Sequence, residues 1–128
     1  MTPLPPSLLV HEDEDLLVVR KPAGWNTHAP GPYANEGIYD WLRHRDPRWA
    51  PLAIVHRLDK ETSGLLLFTK TPEANKSLTL QFTGREVRKT YLLLVDRRPP
   101  AGGFVVASNL ARVGDRYASR REGQSAET

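Results

Sequence analysis

No run of apolar residues in this chain exceeds five, and eleven prolines and nine glycines fall largely between the runs. Prolines and glycines at those intervals punctuate the chain into short elements, and the apolar runs fit strands of about 4–8 residues. A bilayer-crossing helix needs about 20 apolar residues in succession, so no membrane span is expected. The apolar runs at 8–10, 16–20, 52–55, 65–69, 86–95 and 104–107 read as strands. Two segments carry helical spacing instead. In residues 37–45, Ile38, Trp41 and Leu42 share a face at i, i+3 and i+4. In 71–83, Thr71 is a hydroxyl cap, Pro72 takes the first helical position, and Ala74, Leu78 and Phe82 recur every four residues as a core face. The order β-β-α-β-β-α-β-β is α+β, with a mixed, mainly antiparallel sheet and a few short helices.

At 128 residues the chain has the size of one small domain. Residues 1–7, rich in proline and lacking Lys and Arg, read as a flexible N-terminal arm rather than a secretory signal, and 8–128 as the domain. Without cysteine there is no disulfide, zinc–thiolate site or thiol nucleophile, and a cytoplasmic location is expected. Charge is uneven. Residues 1–19 hold four acids and neither Lys nor Arg, whereas 20–128 hold 18 basic and 11 acidic residues. The acids at 12–15 read as a solvated turn. The basic remainder suits a polyanionic partner.

Chemistry concentrates in two places. Residues 22–37 hold three prolines and three glycines, a long loop of the kind that carries function in small domains. Residues 55–64 place His56, Arg57, Asp59, Lys60 and Glu61 between two apolar strands, at a sheet end where a rigid frame can present them. Cations within about 4–6 Å keep a carboxylate ionised, and an ionised carboxylate can attack a sugar anomeric carbon. A charged turn with surface ion pairs fits the same residues. Phosphate loops of the G-x-G-x-x-G and P-loop kinds are absent, as is a G-x-S-x-G elbow. The four histidines lack metal-ligand spacing, so no metal site is expected.

The run HRLDKETSGLLLFTKT at 56–71 resembles the signature of the RluA-type pseudouridine synthases, in which the Asp of His-Arg-Leu-Asp is the nucleophile. Lys21-Pro22-Ala23-Gly24, after its LLVV strand, is similar to that family's first motif. Arg88-Lys89-Thr90-Tyr91 is similar to its Lys-x-Tyr motif. The resemblance covers residues 8–107. It implies a pseudouridine synthase-like fold that isomerises uridine to pseudouridine in structured RNA (rRNA or tRNA) by base flipping, with no cofactor and no metal. Asp59 is then the catalytic residue. Tyr91 packs against the flipped base and can serve in proton transfer, and Arg57 either fills the vacated space or stacks on neighbouring bases. His56 orients the loop or touches RNA, and Lys21, Arg88 and Lys89 contact phosphates. The family's later Thr-Gly-Arg-x-His-Gln-Ile-Arg motif supplies an Arg that pairs with the Asp, and it has no match here. The fold is therefore expected to be incomplete, the N-terminal and central part of a catalytic domain. A non-catalytic RNA-binding module is the alternative.

Overall fold

A computed structural model of the chain describes residues 6–29, 37–113, 116–120 and 124–127. It divides into two units, residues 1–89 and 90–128. In the first unit a 3-10 turn at Pro6–Leu8 leads into β1 (Leu9–Glu12) and β2 (Leu16–Lys21). Helix α1 (Ile38–Arg45) follows, then β3 (Ala53–Ile54), β4 (Gly64–Thr69) and helix α2 (Pro72–Thr83). The strands form one sheet in the order β1-β2-β4-β3, and every ladder in it is antiparallel. The arm expected at 1–7 lies mostly outside the described residues.

The sheet is built on the β2–β4 pair, whose register runs unbroken from Leu16 opposite Thr69 to Lys21 opposite Gly64. Side chains alternate faces along a strand, so Leu17 and Val19 of β2 meet Phe68 and Leu66 of β4 on one face, and all four are buried. Ile38 and Leu42 of α1 complete that core with Leu52 and Leu58. The Tyr39 ring stacks on Phe68 at 5.9 Å, and its hydroxyl donates to the Leu52 carbonyl at 2.9 Å.

Helix α1 starts without a side-chain cap. The Ile38 and Tyr39 N–H groups instead donate to the carbonyls of Asn26 and Thr27, both at 2.9 Å, so the long loop closes the helix end. Gly37 is required there by space rather than by backbone angle. A Cβ on it would collide with the Ala29 nitrogen, the His28 carbonyl carbon and the Asp40 carboxylate. Helix α2 is capped as expected, with the Thr71 hydroxyl accepting from the Ala74 N–H at 3.2 Å. It ends in a Schellman arrangement, with Glu86 N–H bonded to the Gln81 carbonyl and Arg85 N–H to the Phe82 carbonyl. The left-handed residue is Arg85 (φ 56°), not Gly84.

Three expectations need correction. The acidic segment is solvated at Asp13, Glu14 and Asp15 as expected, but not at Glu12, which is half-buried and acts as an anchor. Glu12 accepts from Lys70 at 2.9 Å and from the Trp49 indole, and Lys70 also donates to the Asp13 carbonyl. The hydrogen bond from Lys70 holds the Glu12 carboxyl below its usual range. His11 and the Asp15 and Leu16 N–H groups bring Asp13 down to about 2. Ala74, Leu78 and Phe82 of α2 are only half-buried. Residues 86–95 and 104–106 form no strand, and Leu92 and Leu94 are 102% and 99% exposed. An apolar run has the propensity for a strand but becomes one only when a neighbour supplies its hydrogen bonds.

The second unit holds β5 (Ala107–Val113), β6 (Arg116–Arg120) and β7 (Gln124–Glu127), an antiparallel sheet in the order β6-β5-β7. The polar composition after Asn109 concealed these strands, because backbone ladders do not require apolar side chains.

Candidate active site

Residues 55–63 join β3 to β4, with a turn at 60–61, and exposure alternates along residues 57–59. Leu58 points into the core, while Arg57 and Asp59 on either side of it are exposed. Asn26, Thr27, His28, Arg57, Leu58, Asp59 and Lys60 line a mostly polar concavity of about 290 Å³. That volume is at the lower edge of the range for small-molecule sites, about 300–1,000 Å³. One wall comes from residues 26–28 and the other from residues 57–60, so parts of the two regions that the sequence singles out meet in one place.

Three contacts lock these walls together. The Lys21 ammonium continues the buried face of β2 at 0% exposure and donates to the carbonyls of Pro22 (3.0 Å), Trp25 (2.6 Å) and Lys60 (3.1 Å). The Gly24 N–H, in a left-handed turn at φ 91°, donates to the same Lys60 carbonyl at 2.8 Å. The Thr27 hydroxyl donates to the Leu58 carbonyl at 2.8 Å and accepts from the Leu58 N–H at 3.0 Å. Burial pushes the Lys21 ammonium below the usual lysine value, and the Glu61 and Asp59 carboxylates pull it partly back.

The structure therefore reassigns Lys21. Its three donors are committed to carbonyls and its side chain is out of reach of solvent, so it joins the two loops instead of meeting a phosphate. His56 is half-buried. Its ring stacks on Phe82 of α2 at 4.7 Å, and Nε2 accepts from the Leu67 N–H at 3.1 Å. Burial, and then the charge of Lys89, lowers its pKa. A nitrogen that accepts a backbone N–H bond carries no proton, so the neutral ring orients the loop against β4 and α2. Arg57 is exposed on the cavity wall beside Asp59. Arg88 and Lys89 are exposed in the same unit and are not among the cavity-lining residues. Tyr91 belongs to the second unit, where it is half exposed. Lys60 lies in the charged segment the sequence singled out, but Asn26, Thr27 and His28 were not anticipated individually. Nothing in their spacing marks them, because residues 26–28 meet the His56–Lys60 segment only through contacts distant in sequence, Thr27 with Leu58 and the α1 start with Asn26 and Thr27.

A sequence family described as RNA pseudouridylate synthase matches residues 15–127, nearly the whole chain and both of these loops. The chain belongs to this family. A tRNA pseudouridine synthase C from Yersinia pestis is 33% identical over 113 residues, which span 86% of this chain and 44% of that protein. A ribosomal large subunit pseudouridine synthase D from Zymomonas mobilis is 40% identical over 109 residues, 80% of this chain and 34% of that protein. The chain thus spans between a third and a half of these relatives. The solved structure named Human RNA Pseudouridylate Synthase Domain Containing 4 shares the fold, with a TM-score of 0.61 at 22% identity over 93% of this chain and 51% of that one.

Proposed function

We propose that this chain carries the nucleophile-bearing part of an RNA pseudouridine synthase site and acts on uridine in rRNA or tRNA through Asp59. The observation that carries this reading is the exposed Asp59 carboxylate on the wall of a polar cavity framed by the two loops that the family motifs occupy. The overall change is an isomerisation. The N1–C1′ bond of uridine breaks, a C5–C1′ bond forms, the C5 proton leaves, and N1 takes a proton. No electrons are gained or lost. Asp59 serves the ribose during this exchange, as nucleophile or as base.

In a helix C5 faces the major groove and C1′ the minor-groove side, so an active site that must reach both needs the uridine out of the stack, at a cost of a few kcal/mol. Arg57, exposed one side chain away from Asp59, is suited to fill the vacated place. Arg57 and Lys60 on the rim, with Arg88 and Lys89 outside it, supply the positive charge that phosphates require. Large-subunit ribosomal RNA and tRNA are the substrates proposed, following the relatives' names.

Transcripts of both RNAs, carrying tritium at uridine C5, provide the test. Release of tritium by the 128-residue chain, and its fall by at least about 10³-fold in Asp59→Asn with RNA affinity retained, supports the reading. Binding without tritium release by the unmutated chain overturns it in favour of a non-catalytic RNA-binding module.

A further inference from the structure

We propose that Thr27 is a positioning residue for Asp59, its hydroxyl fixing where the carboxylate stands; this deepens the function proposed above and rests on it. Thr27 is 3% exposed, and its oxygen satisfies both main-chain polar groups of Leu58, a residue 31 positions away. The Leu58 side chain is buried in the core as well. Leu58 is therefore held by its N–H, its carbonyl and its side chain at once.

The consequence for Asp59 follows from the planarity of the peptide bond. The carbonyl of Leu58 and the Cα of Asp59 lie in one rigid plane, so anchoring that carbonyl sets the origin of the Asp59 side chain. The far side of Asp59 is anchored too. Its own carbonyl accepts from the Thr62 N–H at 3.0 Å, and the Lys60 carbonyl takes the Lys21 and Gly24 donors. Thr27 is fixed in turn, since its carbonyl accepts from the Tyr39 N–H at the start of α1. The hydroxyl thus transmits the position of α1 to the carboxylate without touching substrate. Valine has the shape of threonine without the oxygen, and it leaves a buried N–H and carbonyl of Leu58 unpartnered. Serine keeps the oxygen.

The test uses the full 128-residue chain as Thr27→Val and Thr27→Ser. Amide hydrogen exchange is read at Leu58, with Leu17 in the core as the reference. Thr27→Val is expected to speed exchange at Leu58 by about tenfold or more while Leu17 stays unchanged, and Thr27→Ser to restore the protection. Tritium release is then expected to show kcat lowered about tenfold or more in Thr27→Val, with KM within about twofold and recovery in Thr27→Ser. Unchanged Leu58 exchange overturns the assignment. So does equal acceleration at Leu17, which marks general loosening, and so does a raised KM at constant kcat. If the unmutated chain releases no tritium, the proposed function fails, and the exchange comparison alone then decides whether Thr27 anchors the Asp59 segment.

Discussion

The β2–β4 pair and the segment from 91 to 106 are built from similar material and end in opposite states. Leu16-Leu17-Val18-Val19 and Leu65-Leu66-Leu67-Phe68 are no more apolar than Tyr91-Leu92-Leu93-Leu94-Val95 or Phe104-Val105-Val106. The first pair is fully laddered, with alternate side chains sealed beneath α1. In the second, each described side chain stands at least 48% exposed. Hydropathy is thus a requirement for a core and not a description of one. What separates the two regions is whether each strand finds a hydrogen-bonding neighbour and a covering element, and β2 has both.

Mutations can break this contrast, and the largest effect is expected in the core. Phe68→Ala removes a side chain at 0% exposure that faces Leu17 and stacks on Tyr39. It should cost about 3–5 kcal/mol in urea denaturation, whereas Leu94→Ala should change stability by less than about 0.5 kcal/mol. Comparable losses in both would mean that the exposed run is covered in solution.

The other tests sharpen the contrast at the edges of the core. Gly37→Ala places a methyl group against three atoms of the 28–40 neighbourhood and should destabilise by about 1–3 kcal/mol. A smaller loss would show that the loop over the cavity yields easily. Arg85→Gly relieves a left-handed residue between α2 and the open segment and should stabilise by about 1 kcal/mol, read as a higher urea midpoint.

The smallest effect expected is the pH dependence of His56. Its folded pKa lies below the ordinary 6.5 because burial, and then Lys89, disfavour the cation. As pH falls the unfolded chain takes up the proton first, so stability should decline from about pH 6.5 down through the folded pKa and hold above it. His56→Gln should flatten the urea midpoint between about pH 7.5 and 5. An unchanged slope would place the titration elsewhere.

Most of the first unit was legible. The helix expected at 37–45 is Ile38–Arg45, and the strand expected at 65–69 is Gly64–Thr69, because hydrophobic periodicity acts over a few residues. The site was legible in part. Asp59 and Arg57 face the cavity as a charged segment between two strands should. Lys21 misled because a lysine after an apolar strand looks exposed. Its place in the alternation of β2, two residues beyond Val19, carries it inward, and three carbonyls receive it there. Thr27 was invisible because its partner is 31 residues distant. The polar strands β5 to β7 were equally hidden, their signal being main-chain pairing.

By itself the sequence determined the short-element α+β class, the N-terminal cap of α2, and the motifs that mark the family, since these depend on neighbours along the chain. Only the tertiary structure decided which apolar runs became strands, which lysine went inside, and which hydroxyl holds the residue before Asp59. Those outcomes depend on partners that folding brings together from far apart. A buried hydrogen bond or a ladder forms only where both halves arrive.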